Sequence, residues 1–263
     1  MHFIIQENIN QDDFNSLIEA IRYHGFTYES FFHIPFDTSY PELPSHSGVF
    51  VYAASSVTDA IYNDHEDFKG VYNHTSQINI HNFYENTACL MWSPRANQCT
   101  LANVLLLPLS DDKIFVRPAI DNKLFSGQVC TQTEFIEMAR KMIAAEPLYA
   151  NEEIFIGGVN YPEEEYRLFI VDGKIVASSL YRLNGIVKKL EGSTNEVNKL
   201  ALEFYKKNYR SDYLPLSCVI DVGYSFGENK IGVIEVNCIN NSGFYGIIKA
   251  DLVKALANGI KVK

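Results

Sequence analysis

The chain has 263 residues and a formal charge of −10, with 47% hydrophobic and 21% charged residues. That length accommodates one large domain or two or three small ones with a substantial core, and the composition excludes an intrinsically disordered chain. Phosphate neutralisation needs lysine and arginine, so the acidic balance argues against a broad nucleic-acid surface while leaving room for a local basic cleft.

In chain order, "HFIIQ" reads as a short strand, and "NQDDFNSLIEAIRYHG" follows as a helix capped by Asn10, with acids in its first turn and Gly25 at its stop. "GVFVYAAS" is a second apolar strand leading into "SVTDAIYND". This rhythm predicts a small α/β domain over residues 1–95, with "WSPRANQ" as its exit. "KIFVRPA" is a strand running into the loop "IDNKLFSGQ", the helix "TQTEFIEMARKMIAA" comes next, and "EEIFIGGV" is again a strand. "EYRLFIVDGKIVASSLYR" reads as a hairpin turning at Asp172-Gly173. A helix over "TNEVNKLALEFYKKNY" precedes a second hairpin, "PLSCVIDVGYSFGENKIGVIEVN", and "GIIKADLVKALAN" closes the chain as a helix. Residues 96–263 thus mix hairpins with crossing helices, an α+β pattern.

The second hairpin poses a chemical problem. With Phe226 facing Lys230 across a three-residue turn, Asp221 lies opposite Glu235, and Asn237 shares their face. Two carboxylates and an amide on one small patch repel unless something positive sits among them, and Mg²⁺ with phosphate oxygens suits such a patch. The alternative is a pair of solvated strand-end carboxylates, or a register slipped by one residue.

"VIDVGYSFGENKIGVIEVN" resembles the metal-binding hairpin of the ATP-grasp superfamily, an Asp-bearing strand followed by a strand ending E-x-N. "IFVRPAIDNKLFSG" resembles that family's first nucleotide-binding strand and phosphate loop, in the form found in the compact R-to-K clade, although with the single glycine Gly127. "EYRLFIVDGKIVASSLYR" is similar to the hairpin bearing an arginine that reaches phosphate or acyl phosphate.

The resemblance implies an α+β ATP-grasp fold, two subdomains gripping ATP, preceded by the small α/β domain. It implies metal binding by Asp221, Glu235 and Asn237, and nucleotide binding by Arg117, Lys123 and Gly127, with Phe155, Ile156 and Gly157 against adenine. Arg167 is the matching catalytic arginine, with Arg182 and Lys188 as further candidates. ATP and Mg²⁺ are the implied cofactors. The implied activity is a carboxylate–amine ligase forming an amide or peptide bond through an acyl phosphate, with small-molecule or peptide carboxylates and amines as substrates. A non-catalytic ATP-binding regulatory module and an ATP-grasp kinase are the alternatives. Singly, each of these side chains also has an ordinary structural reading, Arg167 for instance as a partner of Glu163 to Glu165.

Five cysteines without a C-x-x-C pair suit reduced thiols. No run approaches the roughly 18 apolar residues of a membrane span, and "MHFIIQENINQDD" is too short and acidic for a signal peptide. The expectation is a soluble, cytoplasmic protein, compatible with oligomerisation.

Overall fold

The computed structural model describes the chain apart from residues 35, 36, 38, 45–47, 66, 67, 73–77, 94, 95, 121–123, 210–212 and 260–263. Strands β1 (His2–Gln6), β2 (Thr27–Phe31) and β3 (Val49–Tyr52) form a parallel sheet in the order β2-β1-β3. Helix α1 (Gln11–Tyr23) starts where Asn10 accepts hydrogen bonds from the backbone N–H groups of Asp12 and Asp13, as its sequence implies. Helices α2 (Ser55–Asp64) and α3 (Ile80–Thr87) follow.

A four-stranded antiparallel sheet comes next, in the order β4-β7-β5-β6. It comprises β4 (Asn97–Thr100), β5 (Lys113–Pro118), β6 (Gln128–Thr131) and β7 (Glu153–Gly158). The short helix α4 (Leu101–Val104) and the longer α5 (Gln132–Ala145) pack on it, α5 through Phe135, Ile136 and Ala139. Thr131 and Glu134 form a reciprocal cap at the start of α5.

The larger antiparallel sheet has the order β10-β9-β8-β11-β12. Its strands are β8 (Glu164–Val171), β9 (Lys174–Leu183), β10 (Ile186–Glu191), β11 (Cys218–Ser225) and β12 (Lys230–Asn237). Asp172 and Gly173 both take positive φ, +50° and +71°, as the β8–β9 turn requires. Asn184 and Gly185 repeat this at +48° and +76° and add β10, a strand absent from the sequence reading. Helices α6 (Asn195–Tyr209) and α7 (Lys249–Gly259) complete the described chain.

Strand β8 shows how this sheet positions a site. Leu168 and Ile170 point into a core with α3 and α6, while Phe169 and Val171 point into a core with β1, α1 and α7. On that second face the apolar series ends at Arg167 and Glu165, where the packed core gives way to a cavity. The N-terminal unit therefore shares a core with the large sheet, through Phe3, Ile5, Leu17 and Ile21. Part of it packs elsewhere: Phe83 of α3 meets Phe204 of α6 with ring centroids 5.3 Å apart.

The β11–β12 hairpin corrects one detail of the sequence reading. Ser225, not Phe226, pairs with Lys230, and the register shifts between Val222↔Val233 and Asp221↔Glu235. A longer turn and a bulge at Ile234 cancel, so Asp221 still lies opposite Glu235.

Candidate active site

A cavity of about 640 Å³ lies between the two antiparallel sheets. The small sheet contributes Phe115 and Arg117 from β5, Phe155 and Gly157 from β7, and the Phe125–Gly127 turn. On the large sheet, Ser179, Arg167, Asp221 and Glu235 are successive cross-strand partners over β9, β8, β11 and β12. Directly opposed residues share a face, so four neighbouring strands place one row of side chains side by side.

Arg167 is the hub of that row. Its Nε and Nη2 donate to Asp221 Oδ1 and Oδ2 at 2.8 and 2.7 Å, and its Nη1 donates to the Gly243 carbonyl at 3.2 Å. The rings of Tyr181 and Tyr245 flank the guanidinium at 5.3 and 5.0 Å. Burial weakens the hold of Arg167 on its proton, but the Asp221 carboxylate more than restores it, so the side chain stays a cation. Asp221 is fully buried. Burial pushes its carboxyl up to about 7 against the pull of Arg167, and Glu235 alongside adds to the rise.

Glu235 is half-buried and behaves oppositely. Burial pushes its carboxyl up, but Arg117, then Arg167 and Asn237, outweigh that and hold it below the usual carboxylate range. Arg117 Nη2 lies 3.3 Å from Glu235 Oε2, and Arg117 Nη1 donates to the Ile234 carbonyl at 3.2 Å, within the bulge. Asn237 Nδ2 donates to Glu235 Oε1 at 3.2 Å and reaches Asp221 Oδ2 at 3.5 Å. Two guanidinium groups and two carboxylates thus balance one another.

The structure brings Arg117, Arg167, Glu235 and Asn237 together on the cavity wall. Asp221 joins them from behind, with both oxygens held by Arg167. Gly127 also lines the cavity, so close to β5 that an added Cβ would stand 3.2 Å from the Phe115 ring. Phe155 stacks on Tyr84, centroids 4.9 Å apart, and Gly157 sits beside it on the wall. Ile156 packs into the core under α5 instead. Arg182 lines the cavity bound to Glu165 at 3.1 Å, whereas Lys188 lies on edge strand β10 away from the lining. Lys123 lies outside the described residues.

Glu235 and Asn237 offer oxygen donors of the kind a hard cation takes, and Asp221 would complete the set on exchanging Arg167 for the metal. The donor chemistry fits Mg²⁺. Among the described residues no group of three His, Cys, Asp or Glu side chains collects anywhere.

Other wall residues escaped the sequence reading. Trp92, the chain's single tryptophan, bridges to β12 through its backbone N–H to the Val233 carbonyl at 2.7 Å. It rests on Gly232, where a Cβ would come within 2.6 Å of its backbone, and Gly223 faces Gly232 across the hairpin. The two facing glycines were the available signal, since paired glycines in a strand mark close backbone approach. Tyr181 is the extra residue of a bulge, because the β8–β9 pairing steps from Glu165↔Arg182 to Tyr166↔Leu180. That step turns consecutive residues, Tyr181 and Arg182, toward the cavity. Asn240 is a buried clamp rather than a pocket residue: Nδ2 donates to the Val51 and Gly70 carbonyls, and Oδ1 accepts from the Tyr72 N–H.

Two sheets closing on an arginine–carboxylate row define an ATP-grasp protein, and the chain belongs to the family described as the ATP-grasp domain of the R-to-K clade, family 2, matched over residues 96–255. Among solved structures, D-cycloserine synthetase DcsG superposes with a TM-score of 0.64 at 11% identity, covering 98% of each chain. D-alanine–D-alanine ligase from Bacillus anthracis gives 0.58 at 11% identity, covering 99% of this chain and 97% of that one. Macrocyclase MdnC from Microcystis aeruginosa MRC, bound with precursor peptide MdnA, gives 0.57 at 13%, covering 98% and 100%. No curated protein matches by sequence. Family and fold place the protein among ATP-dependent ligases.

Proposed function

We propose that the protein is an ATP- and Mg²⁺-dependent carboxylate–amine ligase that forms an amide or peptide bond through an acyl phosphate. The observation that carries this reading is the row Arg117–Glu235–Asp221–Arg167 set across a cavity between two sheets. Phosphoryl transfer depends on positioning and charge stabilisation, and this row supplies both without a nucleophilic side chain.

Arg117 and the Phe125–Gly127 turn, with Lys123, hold the phosphates. Phe155 and Tyr84 make an aromatic wall for adenine, next to β7 backbone that has no β4 partner beyond Ile156. Asp221, Glu235 and Asn237 would hold Mg²⁺, which when bound neutralises charge on the transferring phosphoryl group. Arg167 steadies the oxygens of the acyl phosphate, and Trp92 with Tyr181 and Tyr245 limits the water around it. Relatives fit this class: PsnB, for example, is described as an ATP-grasp ligase complexed with minimal precursor, Mg and ADP.

A non-catalytic nucleotide-binding module is the second reading, favoured by one observation: Arg167 occupies both oxygens of Asp221. The test is an ADP-release screen over amino acids and short peptides with hydroxylamine present. A ligase gives ADP together with a hydroxamate of one carboxylate. A stable phosphorylated product would mean a kinase, and no ADP under any condition a binding module.

A further inference from the structure

Arg182 is underused. Its Nη1 donates to Glu165 at 3.1 and 3.3 Å, and Glu165 is fixed in turn by the Tyr181 hydroxyl at 2.6 Å. Its Nε is sealed from solvent and has no hydrogen-bond partner. A buried N–H left unpaired costs free energy, and such groups are rare unless something binds them. The side chain nevertheless stays 41% exposed, and it lines the cavity with Arg167, Tyr181 and Tyr245. The β9 bulge aims it there. Nε and Nη2 form the side-on edge of a guanidinium, which matches the two oxygens of a carboxylate.

The spacing says which carboxylate. Glu165, which carries Arg182, stands two residues along β8 from Arg167, so the two rows are about 7 Å apart. A carboxylate at Arg182 is therefore too far from Arg167 to be the one activated. An attacking amine approaches its acyl carbon to about 3–3.5 Å, and an α-amino acid carries its carboxylate a further two bonds away. Those lengths together span the distance between the rows.

We propose that Arg182 anchors the carboxylate of the amine-bearing substrate, so that the acceptor is a free α-amino acid. The proposal rests on the ligase reading for the identity of the reacting row. Glu165 is a positioning residue that holds the guanidinium edge toward the cavity.

The test is equilibrium binding in the presence of Mg²⁺ and the non-hydrolysable nucleotide AMP-PNP. Saturation-transfer NMR compares the standard amino acids with their α-amides, and Trp92 fluorescence reports nucleotide affinity. At least one amino acid should bind, with its α-amide weaker by about tenfold or more. Arg182→Gln should erase that difference and weaken the acid by about tenfold, leaving AMP-PNP affinity within about twofold; Arg182→Lys should restore part of it. The acid–amide comparison in the unaltered protein stands even if a variant fails to fold. Equal binding of acid and amide, an unchanged ratio in Arg182→Gln, or binding confined to dicarboxylates would overturn the proposal. So would AMP-PNP binding with no amino acid bound, whereas failure to bind AMP-PNP would overturn the ligase reading itself.

Discussion

At the scale of single residues, the pair Arg167–Asp221 decides the behaviour of the site. Sequence alone makes Asp221 and Glu235 look like mutually repelling carboxylates, from which neutralising Asp221 should relieve strain. The bidentate contact reverses this, because Asp221→Asn would leave Arg167 buried without its counter-charge. Removing one member of a buried ion pair costs about 3–5 kcal/mol, so urea unfolding of Asp221→Asn should show a loss of that order. Unchanged stability would mean the pair does not form. A metal must also compete with Arg167 for Asp221. Arg167→Met should therefore bind Mn²⁺ in the absence of nucleotide more tightly than the unaltered protein, as read by Mn²⁺ paramagnetic resonance. Protons compete at the same carboxyl, whose pKa is raised to about 7 by burial. With the proton bound below that pH and lost above it, Mn²⁺ affinity should rise from pH 6 to pH 7 and level off by about pH 8. A flat profile would remove Asp221 from the metal site.

At the scale of elements, the loop after β12 ties the site to the N-terminal sheet. Asn240 closes three hydrogen bonds to residues 51, 70 and 72, and the Tyr52 hydroxyl donates to the Ser242 carbonyl at 3.0 Å. Asn240→Ala would strand two buried carbonyls and an N–H. At about 1–3 kcal/mol for each unsatisfied group, the loss should be a large part of the protein's stability, measurable as a drop in Tm. Asp172-Gly173, Asn10 and the apolar runs of β1, β3 and β8 were legible because turn, cap and burial chemistry are local. The β11–β12 pairing of Asp221 with Glu235 was legible too, but its route was not. The bulge at Ile234 depends on tertiary demand, with Arg117 drawn to the Ile234 carbonyl from another sheet. Edge strand β10 exposes Ile186, Val187 and Leu190, so no alternating pattern announces it. Tyr181 and Arg182 are adjacent in sequence, and only a bulge lets both face the cavity.

At the scale of the whole molecule, the account is of a cavity whose two sheets each supply one half of a charge-balanced row. Arg117 comes from the small sheet; Arg167, Asp221 and Glu235 come from the large one. Among the described residues no helix is long and apolar enough to cross a membrane. Trp92 sits on the wall of this cavity as the chain's only tryptophan, so its emission reports directly on what enters. The deciding measurement is a fluorescence titration of the protein with ATP and with adenosine, each with and without Mg²⁺. Mg²⁺ with ATP should give a saturable change that Arg117→Ala weakens by about 1.5–3 kcal/mol, the worth of hydrogen bonds to a charged group, while adenosine binding stays as it was. Absence of any ATP-dependent change, or equal loss for ATP and adenosine in Arg117→Ala, would contradict the assignment of this row to the phosphates.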